Sequence, residues 1–251
     1  MVLIALLTIQ MTAVARTETQ LAGNLRSAAA AEAAADGGIY QALFHLLAPG
    51  DQRWPPEGDY RISVAGADVR VRIDNLAGRI NPNVASPELL GALLGAVGLD
   101  PERARSLTDA IMDWRTPGGV ARQGGAKALE YRAAGRDYGP SELPFRDIDE
   151  LGAVLGMTPE LLDLLRPHLT LAWEKEPIPN FADPVVTTAL RTLARGNPAL
   201  LRELPPIMAV NITATADGPQ GSQARRHADA VVNTALPQGA WRILAWDAGG
   251  A

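Results

Sequence analysis

The chain has 251 residues, of which 47% are hydrophobic and 20% are charged, and its formal net charge is −5. This composition supplies enough apolar side chains for packed cores and excludes wholesale disorder. The acidic balance disfavours sequence-independent binding to phosphate backbones, which needs clustered Lys and Arg. The chain has no cysteine, so disulfides, thiolate metal sites and a cysteine nucleophile are excluded.

The first fifteen residues carry no charge, and no proline interrupts the chain before Pro49. A cleaved signal peptide is one interpretation, although its usual basic start is missing, and a buried core helix is another. Apolar residues at helical spacing continue to Leu47, which favours one long helix with an apolar tip in a membrane. Gly23, Gly37 and Gly38 are predicted weak points of this helix, at about 1 kcal/mol each relative to Ala. The residues predicted to lie in the membrane are Val2, Leu3, Ile4, Leu6, Leu7 and Ile9.

Strand patterns flank a helical block. Residues 60–64 and 68–74 alternate apolar with polar side chains around a short turn, which predicts a hairpin with one buried face. Similar alternation returns at 207–214, 227–233 and 241–247. We therefore predict an α+β fold in which the long N-terminal helix packs on an antiparallel sheet and a large α-helical insertion separates the two groups of strands.

Within the helical block, Ser86, Asp100 and Thr158 each precede a proline, a pattern typical of helix N-termini. The helices that start at Ser86 and Asp100 form one helix-Gly-helix unit, and a helix at 147–155 forms a second unit with the helix that starts at Thr158. A loose loop is predicted at 116–140 between the two units, and a further helix at 185–193. The predicted domains are an N-terminal helix at 1–48, a head formed by 59–83 and 177–251, and an insertion at 84–176.

Catalytic motifs are missing from the sequence. It contains no phosphate-binding loop, dinucleotide fingerprint, zinc-protease motif or nucleophile elbow. His45, His168 and His227 are each isolated in sequence, so structural roles are favoured over catalysis. We therefore expect that the protein is not an enzyme and has no small-molecule substrate. A membrane-anchored periplasmic enzyme is a weaker alternative.

An acidic group surrounds the predicted loop, where carboxylates and carbonyl oxygens could converge on a hard cation such as calcium. A solvated loop without metal is the favoured alternative, because no Asp-x-Asp-x-Asp-Gly order fixes the ligands. The candidate calcium ligands are Glu130, Asp137, Glu142 and Asp147.

The helix-Gly-helix units also resemble helix-hairpin-helix elements, in which backbone amides hold a nucleic-acid phosphate. Residues 81–172 contain nine Lys and Arg against thirteen Asp and Glu, so their charge repels such a ligand. A membrane-anchored nucleic-acid-binding protein is therefore an alternative that we do not favour.

Several short segments, taken in order, resemble the general secretion pathway protein K family, the minor pseudopilins K of bacterial type II secretion. The most specific are the Asp-Ala-Ile-Met-Asp-Trp-Arg string at 109–115 and the Gly-Met-Thr string at 156–158. The others lie at 34–39, 78–81, 131–145, 150–151 and 241–246.

This resemblance implies a non-enzymatic subunit at the tip of the type II secretion pseudopilus, which initiates assembly for protein export. The implied location is the bacterial inner membrane, crossed once by the N-terminal helix, with the head in the periplasm. The implied partners are the minor pseudopilins I and J, other pseudopilins and the secretion machinery, and no nucleic acid. Some heads of the family bind calcium in the insertion.

Two positions depart from the family pattern. Members carry a short basic leader that ends in Gly, so we expect the DNA upstream of Met1 to encode one. Acidic residues usually follow the Gly-Ala of the insertion loop, whereas Lys127 and Ala128 follow Gly125 and Ala126 here.

Alanines at 28–31 and 33–35 form a predicted low-profile surface on the long helix. Small side chains lose little entropy on burial and let another helix come close. The high helix propensity of alanine is the alternative explanation for this run. Ala29 and Ala33 are the predicted partner contacts.

Overall fold

The computed structural model describes residues 2–194, 206–236 and 240–247, with side chains for 18–193 of the first range. The chain divides into two compact units, one formed by 1–74 with 210–251 and the other by 75–209. The first unit contains α1 (Val2–Leu47) and most of a five-stranded sheet, and the second is mainly helical. The predicted α+β class with a helical insertion is confirmed.

The strands lie in the sheet in chain order. The first two form an antiparallel hairpin in which Val64 pairs with Ala67. Ala65 and Gly66 between them have φ values of 50° and 84°, as a two-residue type I′ turn requires. The predicted hairpin is therefore confirmed. The strand bounds are β1 Gly58–Val64, β2 Ala67–Asn75, β3 Ile207–Asp217, β4 Gln223–Asn233 and β5 Ala240–Asp247.

Alternation along the strands buries one face of the sheet and exposes the other. On β2, Val69, Val71 and Ile73 are buried, whereas Arg70 and Arg72 between them are exposed to solvent. The apolar face of the sheet forms a core with the buried side of α1. The α1 side chains in that core are Ala31, Ala34, Ala35, Ile39, Ala42, Leu43 and Leu46.

The predicted weak points of α1 do not interrupt it, because the helix runs unbroken from Val2 to Leu47. Two of its glycines instead let the sheet come close. A Cβ atom at Gly37 would lie 2.7 Å from Cγ1 of Val64, and one at Gly38 would lie 2.8 Å from Cγ1 of Val69. The absence of a side chain at these two positions therefore sets the distance between helix and sheet.

The helical unit begins its helices where the sequence predicts. Ser86, Asp100 and Thr158 each accept a hydrogen bond from a backbone N–H three residues later, at 3.2, 3.0 and 3.3 Å. The helix bounds are α2 Pro87–Ala96, α3 Pro101–Arg115, α4 Ala128–Ala133, α5 Pro159–Leu165 and α6 Pro184–Ala194.

Two elements of this unit differ from the prediction. Residues 148–153 form a 3₁₀ helix rather than an α-helix, in a short stretch that contains Gly152. The segment predicted as a loose loop contains α4, whose six residues are too few to show helical periodicity in the sequence.

Aromatic rings fill the centre of the helical unit. The rings of Trp114 and Phe145 are almost parallel, with centroids 6.1 Å apart, and Tyr131 lies 6.1 Å from Trp114. The Tyr131 side chain is fully buried, and its hydroxyl oxygen accepts a hydrogen bond of 2.9 Å from the backbone N–H of Leu155. Tyr131 thereby connects α4 to the segment that precedes α5.

We predict that Gly38→Ala lowers the free energy of unfolding by about 1–3 kcal/mol, the usual cost of forcing bulk into a packed core. This loss should exceed the gain of about 1 kcal/mol in helix propensity. Gly23→Ala is the matched control, because the nearest atom to its new Cβ lies 3.9 Å away. Urea unfolding should show that the control is at least as stable as the wild type. Equal stability of Gly38→Ala and Gly23→Ala would contradict the account of close approach.

We also predict a stability change at high pH. Burial raises the pKa of Tyr131 to about 12, whereas a tyrosine in an unfolded chain titrates near 10. Because the folded pKa is the higher one, the contribution of the neutral phenol is complete below about pH 10 and is lost as the pH rises towards 12. Tyr131→Phe should therefore be less stable at neutral pH, where it leaves the Leu155 N–H unpaired, but should lose less stability between pH 10 and 12. The same pH slope in both proteins would contradict this assignment.

Candidate interaction surface

The three histidines all have local structural partners. His168 Nδ1 lies 2.7 Å from an Oδ atom of Asp183, whose other Oδ accepts the N–H groups of Val185 and Val186 at the start of α6. His227 Nδ1 lies 2.8 Å from the hydroxyl of Thr213, and His45 Nδ1 lies 3.0 Å from a backbone carbonyl. Each histidine therefore has a hydrogen-bond partner within the fold.

An exposed apolar stripe runs along α1. Leu25 is 64% exposed and Phe44 is 63% exposed, and the exposed small residues Ala29 and Ala33 lie between them along the helix. Successive members are mostly four residues apart, the spacing at which helical side chains line up. Large exposed apolar surfaces of this kind mark sites of protein–protein contact. The exposed apolar stripe consists of Leu21, Leu25, Ala29, Ala33, Tyr40 and Phe44.

The alanines predicted to form one surface of α1 are partly exposed and partly buried. Ala29 and Ala33 are exposed and lie within the stripe, so they are accessible to a partner. Ala31, Ala34 and Ala35 are instead buried in the core, because they lie on the side of α1 that packs on the sheet. The prediction of an exposed surface is therefore wrong for these three residues. Partner contact at Ala29 and Ala33 stays a prediction.

An arginine on the sheet forms ion pairs with two carboxylates of α1. The Arg226 side chain on β4 is 14% exposed, and its guanidinium lies 3.0 Å from carboxylate oxygens of both Glu32 and Asp36. The two acidic residues are four apart and share one side of the helix. These ion pairs add to the apolar core and the glycine contacts that hold α1 on the sheet.

A β-bulge extends the apolar surface from α1 to the edge strand β5. Ile243 pairs with Ala230 and Ala245 pairs with Asp229, so Leu244 is an extra residue without a partner on β4. In a regular strand, Trp241 and Trp246 would point to opposite faces, because side chains alternate. The extra residue brings both tryptophans to Tyr40, with ring centroids 6.0 and 5.7 Å from the tyrosine ring.

Sequence reasoning missed the aromatic part of this surface. Tyr40 and Phe44 are four residues apart, a signal that could have identified them as neighbours on one helix face. The two tryptophans gave no such signal, since their odd separation predicts opposite faces of a regular strand. Tyr40, Trp241 and Trp246 are each between 40% and 51% exposed.

A second aromatic group closes the C-terminal end of α1. The rings of His45 and Trp54 are stacked with centroids 4.3 Å apart, and those of Trp54 and Tyr60 are stacked at 3.9 Å. The backbone N–H of Trp54 donates a hydrogen bond of 3.0 Å to the backbone carbonyl of His45. This stack holds the segment between α1 and β1 next to the exposed Phe44.

The four candidate calcium ligands serve separate local roles. Glu130 accepts the N–H of Lys127 at 2.8 Å and Asp147 accepts that of Asp149 at 2.8 Å, so both stabilise the start of a helix. Asp137 is exposed, and Glu142 lies 3.4 Å from the ammonium of Lys127. Over the part of the chain that the structure describes, no three acidic or histidine side chains form a group that could hold a metal ion. The four residues therefore do not fit a shared calcium site in this structure.

The residues predicted to lie in a membrane belong to α1, but their side chains lie outside those that the structure describes. Val2, Leu3, Ile4, Leu6, Leu7 and Ile9 therefore stay a prediction. Among the described residues, no helix combines the length and the apolar character needed to cross a membrane.

Comparisons with known proteins gave a family match for part of the chain and a similarity in fold for most of it. Residues 70–174 match the family model of type II secretion system protein K. In fold, the chain is similar to one chain of the crystal structure of the GspK–GspI–GspJ complex from the enterotoxigenic Escherichia coli type 2 secretion system. That match has a TM-score of 0.64 and 16% sequence identity, and covers 94% of this chain and 99% of the other. Among curated proteins, none matches the sequence significantly.

The family match covers the end of the hairpin, α2 to α5 and the loop that contains Lys127. The similarity in fold covers most of the chain, including the long helix and the sheet. Residues 70–174 therefore match the type II secretion system protein K family, and the chain shares the fold of the similar solved chain.

Proposed function

We propose that this protein is a non-enzymatic minor pseudopilin that lies at the tip of the type II secretion pseudopilus and initiates its assembly for protein export. Its partners in this proposal are the minor pseudopilins I and J, other pseudopilins and the secretion machinery. The observation that carries the proposal is the match of residues 70–174 to the protein K family. The similar solved chain comes from a complex named for GspK, GspI and GspJ, which supports partners of those types.

The exposed apolar stripe supports assembly through the long helix. Its centre consists of Ala29 and Ala33, where a second helix can approach without steric conflict, and its ends carry larger side chains that can pack around that helix. We assign the stripe to contact with another pseudopilin helix. The tryptophans on β5 lie beside the C-terminal end of the stripe and enlarge the same surface.

In this proposal the apolar start of α1 anchors the protein in the bacterial inner membrane and the head lies in the periplasm. The first fifteen residues carry no charge, which suits the hydrocarbon region of a bilayer. In this proposal the chain contributes through contacts with other subunits, and no reaction is assigned to it.

Nucleic-acid binding is less well supported. In a helix-hairpin-helix element, the free amides at the start of the second helix hold phosphate. Here the Asp100 carboxylate already accepts the N–H of Arg103 at the start of α3. Acidic residues also occupy the first turns of α3 and α5, at Glu102 and Glu160, and would repel phosphate. The secretion role is therefore the better supported function.

We predict that the double substitution Ala29→Leu with Ala33→Leu disrupts the complex with the I-type and J-type minor pseudopilins. Leucine keeps a high helix propensity but adds bulk where helices would approach closely. The amount of I-type and J-type protein that co-purifies with the variant should fall about tenfold, which corresponds to about 1.4 kcal/mol. The circular dichroism spectrum and melting temperature should remain those of the wild type.

Ala133→Leu is the matched control, because Ala133 is also an exposed helical alanine but lies in the helical unit. It should leave co-purification unchanged. A folded double variant that retains its partners as well as this control would contradict the assignment of the stripe. If the unmodified protein also fails to bind either partner, the proposed function itself is contradicted.

A further inference from the structure

Lys127 is a buried cation at the end of the loop between α3 and α4, where it is the N-cap residue of α4. The residue is 5% exposed. Its Nζ donates hydrogen bonds to the carbonyl oxygens of Asp113 and Thr116, at 2.7 and 2.6 Å, and lies 3.4 Å from Oε1 of Glu142. An ammonium group has three N–H donors, so these three oxygens can satisfy all of them.

The oxygens around this ammonium have the chemistry of a cation site. Two of them are carbonyls from the C-terminal end of α3, where the helix dipole favours positive charge, and the third belongs to a carboxylate. Backbone carbonyls and carboxylates from separate segments are also the ligands that calcium takes in proteins. In this chain the ammonium already occupies the point on which they converge.

The loop around Lys127 is held to α3 from several sides. Asp113 accepts the N–H of Arg122 at 2.9 Å through its carboxylate, and Asp109 accepts the N–H of Gly124 at 3.1 Å. A side chain at Gly125 would collide with the Asp113 carboxylate. Asp113 therefore binds the loop with its carboxylate and Lys127 with its carbonyl, so the loop and the ammonium depend on the same turn of α3.

The choice of lysine at this position is informative. The chain has 21 arginines and only two lysines, Lys127 and Lys175. Arginine is longer and its planar guanidinium directs its donors in one plane, whereas the compact ammonium directs three donors towards oxygens in three dimensions. Lysine therefore suits this buried position between three oxygens better than arginine does.

We propose that the Lys127 ammonium is the structural cation of the helical unit, which holds the loop after α3 in the role that a bound divalent metal would otherwise fill. The wild-type protein then has no need of calcium to order this loop. Replacing the amine with a carboxylate would leave these oxygens without a cation and add one more ligand of the kind that calcium takes.

The test compares melting temperatures of the full chain in calcium chloride and in a chelator. The wild type should melt at the same temperature in both. Lys127→Met, which keeps much of the length but removes the charge, should melt roughly 5–10 °C lower and show no response to calcium. Lys127→Asp should melt lower in chelator and regain several degrees in millimolar calcium. Lys175→Met, at an exposed lysine whose ammonium lies 5.6 Å from the centroid of the Trp173 ring, should lose much less stability than Lys127→Met.

Three results would overturn the proposal: a wild type that loses stability in chelator, calorimetric binding of calcium to the wild type at the loop, or a Lys127→Met variant as stable as the Lys175→Met control.

A second measurement, of the reactivity of the two lysine amines, needs no variant. With only two lysine side chains in the sequence, an amine-reactive ester followed by peptide mass spectrometry should modify Lys175 and spare Lys127 until the protein unfolds. Equal modification of both would contradict a buried, fully bonded ammonium.

Discussion

The close packing of α1 on the sheet determines what the rest of this molecule can present to others. Gly37 and Gly38 remove the side chains that would hold the helix away from β1 and β2, and Arg226 joins the sheet to two carboxylates of the helix. Between residues 28 and 47, the side chains of α1 that face away from the sheet remain exposed. The exposure of Ala29, Ala33, Tyr40 and Phe44 is therefore a consequence of how the helix meets the sheet.

This constraint links the fold to assembly. An amphipathic helix in a globular protein usually places its apolar side chains in the core, whereas α1 has apolar side chains on both sides. Only one side is needed for the head. The other side, with small residues in its centre, has the form expected of a helix that packs against a second helix. The match of residues 70–174 to the protein K family and the exposed apolar surface of the long helix are both consistent with the proposed function.

The sequence predicts features that depend on local rules. Helix starts at Ser86, Asp100 and Thr158 follow from capping chemistry, and the hairpin follows from alternation around a short turn. Features that depend on distant contacts were not predictable in this way. The bulge at Leu244 arises from pairing with β4, and the three oxygens at Lys127 come from segments up to fifteen residues away. The acidic residues suggested a calcium site because the sequence shows their charge but does not show that Glu130, Glu142 and Asp147 have separate local partners.

Site-specific photo-cross-linking tests the central claim most directly. A photoreactive amino acid at position 29 of the full chain, produced together with the secretion machinery, should form a cross-link to an I-type or J-type minor pseudopilin. The same amino acid at position 133, on exposed α4, should form none of comparable yield. A protein that assembles normally and cross-links to these partners from position 133 but not from position 29 would contradict the account.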